Sequence, residues 1–279
     1  MRLAVFGSGP SGLMAAWAAL QCGAQVTIFD PSGLAGVQTR INLNAGVFLL
    51  HDRCDIIPLT GTERAVRFGV IGDKYTNGHE LVQMYRRKVY GPQYEGPVSL
   101  QEYAGTTREY DGLRAERLLF DILHTMIREG AIGTEHGITE DIDLYLQDFD
   151  RIIVTAPAWA AFGIKNWHTT FAPYMSPIAV HEGDAPLDES YVLYAPQPDV
   201  PWYRVSGVFG RFVMERPYNQ AQPEDRILYK PTTPPPFIES HIAELEAGGQ
   251  VLFAGRFARW EKGIEQHAVY YGTLRWLKK

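Results

Sequence analysis

The alternation of apolar and polar positions divides this 279-residue chain into short strand-like runs and a few helix-period stretches. Leu3 to Phe6 is an unbroken apolar run, as in a parallel strand buried on both faces, and Gln25 to Phe29 is a second. Between them, Leu13 to Leu20 is alanine-rich and predicts a helix. Arg64 to Ile71 predicts a strand, Asp73 to Gly78 a turn and His79 to Tyr90 a helix. Arg86-Arg87-Lys88 closes that helix, where cations offset the helix dipole, and reads as a solvated terminus. Gly91 to Thr107 reads as loop. Leu119, Leu123, Met126 and Ile127 recur on one face and predict an amphipathic helix from Leu113 to Arg128.

Residues 131–138 and 142–147 are candidate strands. Arg151 to Thr155 is a strongly apolar strand that stops at Ala156-Pro157-Ala158. Several β-like runs between Tyr174 and Pro217 predict a second, mostly antiparallel sheet, with the polar insert Glu182 to Ser190 as a surface hairpin loop. Pro231 to Pro236 reads as a rigid connector and Ile238 to Ala247 as a short helix ended by Gly248-Gly249. Gln250 to Ala254 is a strand, and a helix from about Gly263 to Leu277 closes the chain.

Composition narrows the function classes. Apolar residues make up 46% and charged residues 21%, enough for a sizeable core and too apolar for wholesale disorder. Against 26 basic residues stand 32 acidic ones, a net charge of −6 with no basic run. That argues against a nucleic-acid binder held by phosphate contacts, while a nucleotide-linked small substrate stays open. Two cysteines, Cys22 and Cys54, exclude a disulfide scaffold, a Cys-rich metal site and a paired-thiol reductase, and no metal site is expected. No apolar stretch reaches the roughly 20 residues of a membrane span. MRLAVFGSG runs straight into the first strand. The expectation is a reduced, soluble, cytoplasmic protein with a small-molecule substrate; the oligomeric state is left open.

The first thirty residues carry the most chemistry. Gly7-Ser8-Gly9-Pro10-Ser11-Gly12 joins the first strand to the helix, and Asp30 closes the second strand 18 residues after Gly12. Strand, glycine turn, helix, strand and acid follow in the order of a dinucleotide-binding βαβ unit. Gly7 permits the tight turn, Gly9 lets backbone approach a pyrophosphate, and Gly12 lets the helix pack close to the strand. The pyrophosphate would sit at the helix's positive end, and Asp30 would accept hydrogen bonds from ribose hydroxyls.

Pro31 to Arg40 (PSGLAGVQTR) resembles the segment that follows this acid in the FAD family of amine oxidases and UDP-galactopyranose mutases, with Ala35 in place of the first glycine of a pair. VLFAGRFARWEKGIEQHAV, from Val251 to Val269, resembles the C-terminal signature of the mutases, and VPWYRV, from Val200 to Val205, resembles a second mutase segment. The resemblance implies FAD as cofactor, held by Gly7, Gly9, Pro10, Ser11, Gly12, Asp30, Gly36, Thr39, Arg40, Thr155, Ala156, Gly255, Arg256 and Glu265. It implies His51, Arg204, Tyr229 and Trp260 on the catalytic side, with Arg204 toward a substrate diphosphate and Trp260 near the flavin ring. His51 reads equally well as a core or loop histidine. The expected architecture is α/β: a Rossmann-like FAD-binding domain with a mostly parallel sheet (1–50, 105–165 and 250–279) and a mainly antiparallel β-sheet substrate domain (51–104 and 166–249).

No GxSxG, HExxH or CxxC motif is present, so catalytic groups must converge from distant segments. The leading expectation is an FAD-dependent oxidoreductase or oxidative lyase acting on a small amine or amino-acid-like group by hydride transfer to flavin N5. Tyr203, Tyr229 and Trp260 would wall its pocket, and Arg204 or Arg256 would hold a carboxylate. A minimal sugar-nucleotide mutase and a non-catalytic flavin-binding module are the alternatives. The helical insert with which the mutases close over their substrate is missing between residues 55 and 113.

Overall fold

The computed structural model describes residues 1–31, 63–71, 78–96, 98, 108–113, 127–129, 136–185, 191–208, 211–261, 264 and 266–279. The chain forms two compact units, each assembled from separated segments. Unit 1 comprises Met1–Asn42, Glu116–Tyr174 and Thr233–Lys279; unit 2 comprises Leu43–Ala115 and Met175–Thr232. The division assigns the helix after Pro235 to unit 1, whereas the sequence reading put it on the substrate side.

Unit 1 is an α/β layer. Its strands are β1 (Arg2–Phe6), β2 (Gln25–Asp30), β5 (Ile127–Glu129), β6 (Arg151–Val154) and β12 (Val251–Phe253). They form one parallel sheet in the order β12-β6-β1-β2-β5. In chain order this is the 3-2-1-4-5 arrangement of the Rossmann type, which reverses direction between β1 and β6. The apolar runs are apolar because both faces are covered: Leu3, Ala4, Val5, Phe6, Ile152, Ile153 and Val154 are all fully buried. Helix α1 (Pro10–Gln21) lies against β1, β2 and the closing helix α7 (Gln266–Leu277). Ala15, Ala16, Ala18 and Ala19 on α1 are buried, and their small side chains permit the close approach.

Two predicted elements of unit 1 are different in the structure. Residues 142–147, read as a strand, belong to helix α3 (Ile142–Asp148). Their alternation of apolar and polar residues misled because Leu144 is exposed, and only Ile142 of the helix is buried. Tyr145 of α3 sets its ring edge-on to Phe6, 4.8 Å away, and Phe6 stacks on its register partner Phe29 at 4.8 Å. The predicted helix from Leu113 to Arg128 begins on the last residue of a strand and ends inside β5; its residues 114–126, with Leu119, Leu123 and Met126, lie outside the described residues. Two further short helices, α4 (Ala158–Ala161) and α5 (Trp167–Phe171), follow β6, and α6 (Pro236–Glu246) precedes β12.

Unit 2 holds the second sheet, from β3 (Glu63–Val70), β4 (Arg108–Leu113), β7 (Met175–Asp184), β8 (Tyr191–Tyr194), β9 (Arg204–Val208), β10 (Arg211–Pro217) and β11 (Arg226–Pro231). The order is β11-β7-β10-β9-β8-β3-β4, antiparallel at every pairing except β3 with β8. β7 runs to Asp184, so the first residues of the expected hairpin loop are strand; residues 186–190 lie outside the described ones. The core of unit 2 brings Leu81, Tyr85 and Val89 from α2 (Gly78–Tyr90) to Ile178, Val180, Val192, Tyr194 and Tyr203.

Lys88 corrects the reading of a solvated helix end. Its Nζ donates to three carbonyl oxygens, those of Ala195 (2.7 Å), Gln197 (2.6 Å) and Trp202 (2.6 Å). Burial lowers its pKa to about 8, with Asp199 pulling it back upward. One lysine thus ties α2 to the segment between β8 and β9. Among the described residues no helix is long and apolar enough to cross a membrane. Lys88→Met is expected to cost about 1–3 kcal/mol by removing the donor that these carbonyls share, read as a lowered urea midpoint with faster amide exchange at residues 195–203.

Candidate functional site

The site is built at the carboxyl ends of the parallel strands, on the switch point between β1 and β6, where open α/β sheets bind ligands. Here the glycines are demanded by three different constraints. Gly7 has φ +103°, and a Cβ there would stand 2.8 Å from Ala156 N and Thr155 Oγ1. A Cβ on Gly12 would overlap the Gly7 carbonyl and reach within 2.9 Å of Thr155 Oγ1. Gly9 has nothing among the described residues within 4 Å of the same position, so this part of the structure leaves its face open to an approaching group. Gly255, φ +96°, packs directly on the Ser11 side chain at the start of α1.

Around that turn the backbone is pinned from both sides. The Phe6 carbonyl accepts from the N–H groups of Thr155 and Ala156, both at 2.8 Å, and from the Thr155 hydroxyl at 2.9 Å. The same hydroxyl lies 3.1 Å from the Gly7 carbonyl, and Gly7 N donates to Phe29 O at 2.9 Å. Helix α1 starts at Gly9 with Pro10 in its first turn, no side-chain cap and no acid in that turn. No side chain of its own first turn therefore neutralises its positive end, which suits an anion-binding terminus. Arg256, next to Gly255, keeps its Nε buried without a hydrogen-bond partner.

Asp30 is nearly fully buried, and its Oδ2 accepts from Ser8 N at 3.0 Å and from the Ser8 hydroxyl. The acid expected at the ribose thus also holds the glycine turn, a role in which the sequence reading gave Ser8 no part. Trp260 takes φ 52° in a non-glycine position and is fully buried. Its indole N–H donates to Tyr174 O at 2.9 Å, with Trp159 edge-on at 5.2 Å and Phe171 at 4.8 Å. The structure places Trp260 in the core of unit 1, where it braces the Gly255–Glu261 turn, rather than on an open pocket wall.

In unit 2, Arg204 is ion-paired with Glu215, its register partner across β9 and β10. Lys230 binds the other carboxylate oxygen at 2.7 Å. Glu215 is only 4% exposed, so two cations converge on one buried carboxylate. Burial works against the Arg204 charge, yet Glu215 and the tyrosines Tyr194, Tyr85 and Tyr203 hold its pKa above the ordinary value. Burial likewise raises Tyr203 and Tyr85, with Glu215 adding to both. Tyr203 is a core residue with no hydrogen-bond partner for its hydroxyl, and the Lys230 ammonium lies 5.3 Å from its ring centre. Tyr229 is half-buried on β11 opposite Pro177.

His51, Gly36, Thr39, Arg40 and Glu265 lie outside the described residues, and for Pro10 only the backbone is described. The structure brings Gly7, Ser11, Gly12, Thr155, Ala156 and Gly255 together around one turn. A cleft of about 730 Å³, lined by Arg151, Gln250, Val251 and Trp276, lies at the amino ends of β6 and β12, the opposite end of the sheet.

No protein-family model matches the chain, and no curated protein matches it. Solved structures do. A reduced UDP-galactopyranose mutase aligns over 99% of this chain and 94% of its own, with 13% identity and a TM-score of 0.55. MibH, a peptide tryptophan 5-halogenase, aligns over 99% and 66% at 10% identity with a TM-score of 0.44. QhpG, a peptidyl tryptophan dihydroxylase, aligns over 87% and 49% at 13% identity with a TM-score of 0.34. The mutase likeness shows the fold: α/β, with a Rossmann-like parallel sheet and a second, mainly antiparallel sheet. The two lower scores are too distant to add to it.

Gly12→Ala is expected to destabilise the chain by about 2 kcal/mol or more through overpacking, read by thermal or chemical unfolding. Gly9→Ala, which meets no atom of the described residues, is expected to leave stability within about 0.5 kcal/mol while dinucleotide affinity falls at least tenfold, read by cofactor titration. Glu215→Gln is expected to cost about 3 kcal/mol by leaving two cations on an uncharged group, read as a lowered unfolding midpoint at neutral pH.

Proposed function

We propose that this chain is a flavoenzyme that holds FAD on unit 1. The observation that carries the reading is the Gly7–Gly12 turn: internal packing accounts for two of its glycines, and the third presents an open face at an uncapped helix terminus. The residues fit the cofactor. Backbone N–H groups at the start of α1 would take the pyrophosphate, the unpartnered Arg256 Nε would supply a positive donor beside it, and Asp30 would meet the adenosine ribose while still bonded to Ser8. FAD supplies N5 as a two-electron acceptor.

The reaction we assign to this frame is oxidation of a small amine or amino-acid-like group, for which bound FAD would supply the two-electron acceptor and the amine would leave as an imine open to hydrolysis. Arg204 enters this reading weakened as a substrate clamp, because its charge is engaged by Glu215; a substrate carboxylate at Arg204 would have to compete with that pair. Cytoplasmic residence remains part of the proposal. The second reading, a mutase-like rearrangement of a sugar nucleotide, is favoured by the near full-length likeness to the mutase fold.

Purified protein is expected to be yellow and to release FAD on denaturation, identified by mass spectrometry; a colourless protein that takes up NAD instead would overturn the cofactor. Anaerobic mixing with a panel of amines and amino acids is expected to bleach the flavin. Absence of bleaching, with a spectral shift on adding UDP-sugars to reduced protein, would transfer the assignment to the mutase reading.

A further inference from the structure

In unit 2, His181 on β7 meets the turn that leads into β11. The ligand-capable atoms of His181, Glu224 and Asp225 all lie within 4.8 Å of one another. His181 Nδ1 stands 3.5 Å from Asp225 Oδ1. Two ligands of a tetrahedral zinc at bonds of about 2.0–2.1 Å stand about 3.3 Å apart, so this pair already has nearly the spacing of a shared ion.

Asp225 carries the argument further. Its side chain is completely buried. Oδ2 is engaged, accepting from Gln222 N at 2.8 Å with Arg216 Nε 3.4 Å away. Oδ1 is buried and accepts no hydrogen bond. A buried carboxylate oxygen without a donor is costly, and it is oriented here toward an imidazole nitrogen by partners on its other oxygen, as outer-sphere contacts orient metal ligands. Among the described residues Arg216 opposes a cation here, whereas Arg226, also near this edge, is paired with Glu182. Glu224 is exposed and can swing inward, and His181 is 36% exposed, so an ion has a route in from solvent.

We propose that His181, Glu224 and Asp225 form a binding site for a divalent cation of the zinc class, with water completing the coordination. The ligands come from positions 181 and 224–225, which no short spacing motif unites; β7 and β11 bring them together by pairing Val180 with Arg226. The ion would clip the turn before β11 onto β7.

The test is calorimetric titration of tag-free, chelator-treated and dialysed full-length protein with zinc chloride at pH 7.5. One equivalent is expected to bind with micromolar or tighter affinity, and zinc is expected to raise the melting temperature. Asp225→Asn and His181→Ala are expected to weaken binding at least tenfold and to abolish the thermal shift. Glu224→Ala, on an exposed side chain that leaves the fold intact, is expected to weaken binding severalfold. No saturable binding by the native chain would overturn the site and leave a plain His181–Asp225 ion pair; equal binding by the native chain and Glu224→Ala would overturn it as well.

Discussion

The carbonyl of Phe6 and the glycine beyond it set the terms for unit 1. β1 ends in the middle of a fully covered sheet, so the backbone groups that leave it have to find partners in the protein. β6 supplies them: two successive N–H groups and the Thr155 hydroxyl converge on Phe6 O. That closeness leaves no room for a side chain at Gly7 or Gly12, while Asp30 and Ser8 draw the far side of the turn toward β2. The turn is thereby held in one shape before any ligand arrives. A pre-organised backbone is what an anion-binding terminus needs, since the ligand then gains its contacts without ordering the loop.

Unit 2 solves a different problem, that of keeping charge inside a β-sheet core. Glu215 is nearly inaccessible, and its burial is tolerable because Arg204 and Lys230 approach both carboxylate oxygens. Lys88 serves three carbonyls of the segment between β8 and β9 in the same way. Each arrangement draws on residues far apart in sequence, and Lys88 is the one whose polar end reads as solvated along the chain.

The parts of the fold that could be read from the chain are those with a local physical cause. β1, α1, β2, β6 and α2 follow from uninterrupted apolar runs, alanine content and helical periodicity. The glycine turn follows from the spacing of Gly7, Gly9 and Gly12. Where the local signal was ambiguous, packing decided: Ile142–Asp148 alternates like a strand but coils, because Tyr145 reaches the Phe6–Phe29 stack from a helix. Ile127 carries a helical spacing yet pairs with Ile28 at the edge of the parallel sheet.

The candidate site divides along the same line. The sequence alone determined that a glycine turn, a helix terminus and an acid stand in the order a dinucleotide needs, because those requirements act between neighbours in the chain. Only the tertiary structure decided that Thr155 pins the turn, that Asp30 is held by Ser8, that Trp260 is a buried brace and that Arg204 is engaged by Glu215. Those outcomes depend on which distant residues the two sheets bring within hydrogen-bond reach, and on how much water the packing leaves around them.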